Sequence, residues 1–139
     1  MCLLARQPRT RSALSRFGDE MAIAGQIIDD LEDLDEDLAR GRFNYVAQRL
    51  LSAPGPQESA AARVAAELVL GDGGTRILAE VRRHLLAAED ALRSVDCPAA
   101  DEEVRSSLRS LDRLQTQIHR RSVELALGPA LGRRPARSA

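Results

Sequence analysis

The 139-residue sequence has no tryptophan, one tyrosine and two phenylalanines, and no lysine occurs anywhere in it. With aromatics at 2% and apolar residues at 44%, any core must be assembled from Leu, Ala, Val and Ile. All positive charge is arginine, which reads as compositional bias rather than chemistry. The two cysteines, Cys2 and Cys97, are far apart and show no metal-ligand spacing, so a reduced, cytoplasmic setting is expected. No apolar run approaches membrane-spanning length, and Met1-Cys2-Leu3-Leu4-Ala5 is too short for the apolar part of a signal peptide. Sustained apolar/polar alternation is missing, which excludes a recognisable strand pattern. A net charge of −1 argues against a general nucleic-acid binder.

What is present favours helices: Ala, Leu, Glu and Arg dominate. Breakers divide the chain into five helical segments. The first is expected from Ser15 or Asp19 to Arg40, with Gly41 where a left-handed C-terminal residue is wanted. A short segment from Asn44 to Ser52 ends at Pro54-Gly55-Pro56. Ser59 caps a third, Ala60 to Leu70, which stops at the turn Gly71-Asp72-Gly73-Gly74. Thr75 caps a fourth that runs to Val95, and the fifth extends from Ala100 to Leu127, ending at Gly128-Pro129. Residues 1–14 read as a flexible basic N-terminus, 15–127 as one helical domain and 128–139 as a disordered basic tail. In the last helix Val104, Leu108, Leu111, Leu114 (or Gln115) and Ile118 recur at three and four, the spacing of a helix with one buried face. The expected fold is an all-α antiparallel bundle with short connections.

Charge is concentrated in one place. Seven of the nine residues from Asp29 to Asp37 are acidic, five Asp and two Glu. On a helix advancing 100° per residue from Gln26, Asp30, Asp33 and Asp37 fall at about 40°, −20° and 20°, with Asp29 and Arg40 at about −60° and −40°. Ile23, Ile27, Leu31, Leu34 and Leu38 form an apolar stripe from about 60° to 140°. The acids therefore lie beside the buried stripe rather than opposite it. Like-charge pairs at this spacing each cost roughly 0.2–0.5 kcal/mol, and Asp is a poorer helix former than Glu. Short carboxylates converging on one wedge suit a hard cation with oxygen ligands, and magnesium shared with phosphate oxygens fits best. A solvated acidic face is the plain alternative. An EF-hand is excluded, because Leu38 stands where its Gly belongs and Asn44 where its bidentate Glu belongs.

The run Gly25-Gln26-Ile27-Ile28-Asp29-Asp30-Leu31-Glu32-Asp33-Leu34-Asp35-Glu36-Asp37, continuing through Arg40-Gly41-Arg42, resembles the second aspartate-rich motif of class I isoprenoid (polyprenyl diphosphate) synthases. Leu86 to Leu92 and Leu108 to Arg121 are similar to that family's last helices, but specificity rests on residues 26–42. The resemblance implies a partial isoprenoid-synthase fold, Mg2+ as cofactor, a prenyl diphosphate substrate and prenyl transfer. It makes Asp29 the principal magnesium ligand, with Asp30 and Asp33 on the ion or immediately around it. Gln26 then shapes the substrate pocket, Asp37 orients water or a basic partner, and Arg40 and Arg42 contact diphosphate, as bidentate guanidinium groups can.

The sequence also departs from the family's pattern. Gly25 stands where many members have Phe, and Gly41-Arg42-Phe43-Asn44-Tyr45-Val46 replaces the usual basic-Gly and Gly-Lys-Thr run. The family's first aspartate-rich helix has no counterpart among the 28 residues before Asp29. The chain is therefore expected to be a C-terminal fragment, inactive alone. The alternative function is a non-catalytic helical partner, self-associating or joined to another subunit. His84 and His119 show no evident carboxylate relay and are read as packing or surface residues. Gly71-Asp72-Gly73-Gly74 lacks the Lys of a phosphate loop. Phe43 and Tyr45 are expected to pack beneath the loop that leaves the acidic helix, with the lining of a prenyl pocket as the alternative.

Overall fold

The computed structural model describes residues 8–51 and 60–131, with side chains up to Leu125. Six helices occur among them: α1 (Pro8–Glu32), α2 (Leu34–Ala39), α3 (Tyr45–Leu50), α4 (Ala60–Val69), α5 (Gly73–Leu92) and α6 (Pro98–Leu131). No strand occurs among the described residues, so the all-α reading holds. None of these helices is long and apolar enough to cross a membrane.

Helix α5 is the central element, packing broadly on α1 and then on α6 and α4. Its buried face repeats at helical spacing through Ile77, Leu78, Val81, His84, Leu85, Ala88 and Leu92. Ile27, Leu31 and Leu34 from α1 and α2 close on it, joined by Val46 and Leu50, Val64 and Leu68, and Leu111 and Leu114. A smaller cluster of Ala88, Leu92, Ala100 and Val104 fills the other end, with Leu14, Phe17 and Cys97 packed against it. Aliphatic side chains supply the core, as an aromatic-poor sequence requires.

Two glycines decide how closely α4 and α5 approach. A Cβ on Gly74 would stand 2.2 Å from the Leu68 carbonyl oxygen, and one on Gly73 would meet Leu50 and Glu67. The helix therefore starts through the glycines, with Asp72 as its N-cap residue, rather than after a cap at Thr75. Only glycine lets the two backbones meet there.

Other boundaries differ from the sequence expectation. Helix α1 begins at Pro8, ahead of Ser15, because proline suits a first helical position. Residues 8–14 of the expected flexible start are thus helical, and residues 1–7 lie outside the described residues. Helix α6 likewise starts at a proline, Pro98, and continues past Gly128-Pro129 to Leu131. The expected cap at Ser59 and the tail 132–139 lie outside the described residues. The acidic helix is not continuous: it bends at Asp33 (φ −88°, ψ −1°), between α1 and α2. The backbone bonds Asp33 N–H to Asp29 C=O and Asp37 N–H to Asp33 C=O, both 2.9 Å, span the bend. The helical register, and with it the angular placement of the acids, survives.

The apolar stripe is broader and shorter than projected. Ile28 is buried as well as Ile27 and Leu31, while Ile23 is 45% exposed. Helix α1 packs on α5 along its length and on α3 near its C-terminal end, so more than one side of it is covered where Ile28 lies.

Candidate functional site: the acidic helix and its exit loop

Helix α2 ends in a two-bond C-terminal motif. Gly41 takes φ 70°, its N–H bonds the Leu38 carbonyl at 3.0 Å, and the Arg42 N–H bonds the Asp37 carbonyl at 2.7 Å. This is the Schellman arrangement that the Arg40-Gly41-Arg42 run anticipates. It turns the chain back so that Phe43 packs against the core, as expected beneath the exit loop. Tyr45, of which the same is expected, is instead 39% exposed, because it opens α3 and reaches outward to Glu80.

Asn44 then ties the loop to the acidic helix. Its Oδ1 accepts from the Ala47 N–H at 3.0 Å and caps α3. Its Nδ2 donates to the Asp30 carbonyl at 2.8 Å and to Asp37 Oδ2 at 3.1 Å. Asp30 is engaged on both oxygens, by Gln26 Nε2 at 2.7 Å and by the Tyr45 N–H at 2.9 Å. The carboxylate thereby satisfies one of the unpaired amides at the start of α3. Asp37, with its side chain 18% exposed, pairs with Arg42 at 3.0 Å. Arg40 pairs with Glu36 one turn earlier, and Asp35 reaches across to Arg121 of α6 at 2.5 Å.

Four of the seven sequence-predicted site residues are thus drawn into one local network, Gln26 and Asp30, and Asp37 with Arg42, bridged by Asn44. Arg40 stands apart on its own acid, Glu36. Asp29 and Asp33 are different. Both are exposed, neither has a side-chain partner among the described residues, and the α-helical bond between them stacks them one turn apart on one face. No basic residue occupies the last turn of α1 to offset the carboxylates at that negative helix end.

Neither Asp29 nor Asp33 opens into the larger groove beside this helix. That groove, about 610 Å³, takes Glu32 and Asp35 from the acidic stretch, with Leu31 and Leu34 behind them and α6 opposite. The bend at Asp33 and the ion pair from Asp35 to Arg121 of α6 mark this division. The described residues contain no group of three or more His, Cys, Asp or Glu placed to hold a metal ion. Magnesium, which uses one or two carboxylates and completes its coordination with phosphate and water, does not need such a cage. The Asp29/Asp33 pair fits that limited demand through its free oxygen donors.

Exit-loop residues beyond the predicted set also carry polar structure. Tyr45 donates its hydroxyl to Glu80 of α5 at 2.8 Å, and Arg49 reaches the same carboxylate at 3.4 Å. The hydrogen bond to Glu80, then burial, push the Tyr45 hydroxyl above its ordinary 10.0, against the pull of Arg49. Burial works against ionisation of Glu80, but the bonds from Tyr45 and Arg49 outweigh it and hold the carboxyl below its ordinary 4.5. His84 proves to have the carboxylate that sequence spacing concealed: its Nδ1 lies 2.6 Å from Glu20 Oε2 of α1, and Arg83 stands 3.0 Å from Nε2. Arg83 can only donate, so Nε2 accepts and Nδ1–H points to Glu20. The ring is buried between α1 and α5 and reads as a cross-helix tie. His119 is exposed on α6.

No family model and no curated protein matches this chain, and no solved structure matches it either.

Proposed function

We propose that the exposed Asp29/Asp33 pair holds magnesium together with a diphosphate group, as the likeness of residues 26–42 to the second aspartate-rich motif of class I isoprenoid synthases implies. The single observation that carries this reading is that the fold engages Asp30, Asp35, Glu36 and Asp37 and leaves Asp29 and Asp33 stacked one turn apart without a partner among the described residues. Glu32, the third unpaired acid of the stretch, opens instead into the groove beside α6. In a chain with twenty basic residues, an unrelieved like-charge pair suits a ligand that arrives from outside. Bound magnesium supplies charge neutralisation to the diphosphate, the leaving group in allylic prenyl transfer.

The chain's own residues divide the remaining work. Asp29 and Asp33 present oxygen donors. Asp30 and Asn44 fix the exit loop relative to them, and Asp37 holds Arg42 beside the same helix. Arg40 sits in an exposed ion pair with Glu36, worth about 0–1 kcal/mol, so exchanging that carboxylate for a phosphate costs little. Arg42 is itself exposed, but its partner Asp37 is largely covered and keeps the Asn44 bond if the guanidinium turns to a phosphate. The substrate class is a prenyl diphosphate, the setting cytoplasmic, and prenyl transfer requires an opposing acidic helix contributed by another part or another subunit. A second reading, a non-catalytic helical partner, is favoured by the engagement of Asp30 and Asp37 in purely structural bonds.

Thermal unfolding without ligand, with magnesium alone, with inorganic diphosphate alone and with both together separates the two readings. A ligand of the native state raises stability by mass action, by about 2.7 kcal/mol at a hundred times its Kd. The proposal expects a rise only with both present, abolished in Asp29→Asn and Asp33→Asn. Equal melting in all four conditions supports the non-catalytic reading.

A further inference from the structure

The break in the acidic helix has no local cause in the sequence, because Glu32-Asp33-Leu34 holds neither proline nor glycine. Asp33 stands at the N-cap position of α2, yet its side chain caps nothing there. What fails is the backbone ladder. Asp33 N–H still bonds the Asp29 carbonyl, and Asp37 N–H the Asp33 carbonyl. Between them, the amides of Leu34, Asp35 and Glu36 have no bond, among the described residues, to their helical partners four residues back, the carbonyls of Asp30, Leu31 and Glu32.

A donor from elsewhere has taken the first of those positions. Asn44 Nδ2 donates to the Asp30 carbonyl at 2.8 Å, in place of the Leu34 N–H of an unbroken helix. Its other hydrogen goes to Asp37 Oδ2 at 3.1 Å, so one side-chain amide grips the chain on both sides of the break. The amide cannot be turned over, since Oδ1 would then face two acceptors and lose the Ala47 N–H. A side chain inserted into the i→i−4 ladder is a known cause of sharp helix bends.

We infer that Asn44 is a latch: its side-chain amide wedges the ladder open at Asp30 and holds the acidic helix bent, and on its release the Leu34 N–H takes the Asp30 carbonyl and the helix closes. The Asp30 carbonyl is partly buried, and leaving such a group without a donor costs free energy that the nearest amide removes. Each state thus satisfies the same carbonyl, by the loop in one and by the helix itself in the other, which makes the element two-state rather than loose. Leu31 and Glu32 before the break and Leu34 and Asp35 after it line the groove of about 610 Å³, so the latch sets the shape of that wall. The inference uses neither the Asp29 nor the Asp33 carboxylate and stands whether or not they hold a cation.

Amide hydrogen exchange on the full-length chain, read residue by residue by NMR, tests it. In wild type the bonded Asp33 and Asp37 amides are protected, and those of Leu34, Asp35 and Glu36 exchange faster. Asn44→Ser keeps an oxygen to cap α3, but its hydroxyl is too short to reach the Asp30 carbonyl as well. In that variant protection of the Leu34, Asp35 and Glu36 amides rises about tenfold. The Asp33 Cα chemical shift moves to its helical value, away from the conformation with φ −88° and ψ −1°. A general loosening lowers protection everywhere, so closure of the ladder is what raises it at these amides. Tyr45→Phe removes the loop's bond to Glu80 and leaves Asn44 in place, so it changes neither readout. Wild-type Leu34 protected as well as Asp33, unchanged or lower protection in Asn44→Ser, or the same rise in Tyr45→Phe overturns the inference.

Discussion

Asn44 holds together more of the candidate site than any other single residue, and replacing it with alanine measures how much. Three bonds disappear at once: the cap on α3 and the two Nδ2 bonds to the Asp30 carbonyl and the Asp37 carboxylate. Loss of an N-cap costs about 1 kcal/mol, and a neutral hydrogen bond contributes about 0.5–1.5 kcal/mol. The bond to Asp37 adds about as much again, limited because Asp37 keeps Arg42. The total is about 2–4 kcal/mol, with the two Nδ2 bonds counted as overlapping. At this chain length that lowers the melting temperature by about 8–15 °C. Urea unfolding followed by circular dichroism reads the loss directly, since the native helices provide the signal. Asn44→Ser retains an acceptor for the cap and recovers about 1 kcal/mol. Asn44→Asp also retains the cap but sets a carboxylate against Asp37, so it stays as unstable as Asn44→Ala at neutral pH and regains stability on acidification. If Asn44→Ala unfolds within about 0.5 kcal/mol of wild type, below the weakest single bond counted, the network does not organise the loop and the reasoning fails.

The Tyr45–Glu80 bond predicts a pH signature. The Glu80 carboxyl is held low in the folded chain, so its contribution is present above 4.5 and is lost as pH falls through the depressed value. The Tyr45 hydroxyl is held high, so its contribution is present below 10.0 and is lost as pH rises through the raised value. Tyr45→Phe should therefore cost about 0.5–1 kcal/mol across neutral pH, and the gap to wild type in urea unfolding should close at both extremes. Asp29→Asn should stabilise the ligand-free chain by about 0.2–0.5 kcal/mol, because it relieves the repulsion with Asp33 one turn away. Thermal melts in chelator check the sign, and a loss of stability there means that Asp29 has a structural partner.

Much of the fold was legible from apolar spacing and breakers. The seam Val104-Leu108-Leu111-Leu114-Ile118 does face the core, Gly41 does take the left-handed turn, and the five expected segments account for the six helices apart from their ends, the bend dividing the first into α1 and α2. The bend at Asp33 was not legible, since no proline or glycine marks it. The early start of α5 escaped because glycines read as turn residues until a neighbouring helix is seen to need their missing side chains. Within the candidate site, the angular clustering of acids was visible, but their partners were not. Asp30 to Tyr45, Asp35 to Arg121 and His84 to Glu20 join residues 15, 86 and 64 positions apart. Helical periodicity carries no information about such contacts, which depend on how the elements pack. Which acids remain free was therefore a property of the tertiary structure alone.

Calorimetric titration of inorganic diphosphate into the chain, at saturating magnesium, puts the carboxylate pair to its most direct trial. Saturable heat with wild type, none with Asp33→Asn and none when magnesium is replaced by sodium is the result that follows from two free acids sharing a cation with a phosphate ligand. Identical isotherms for wild type and Asp33→Asn, or none for either, contradict it.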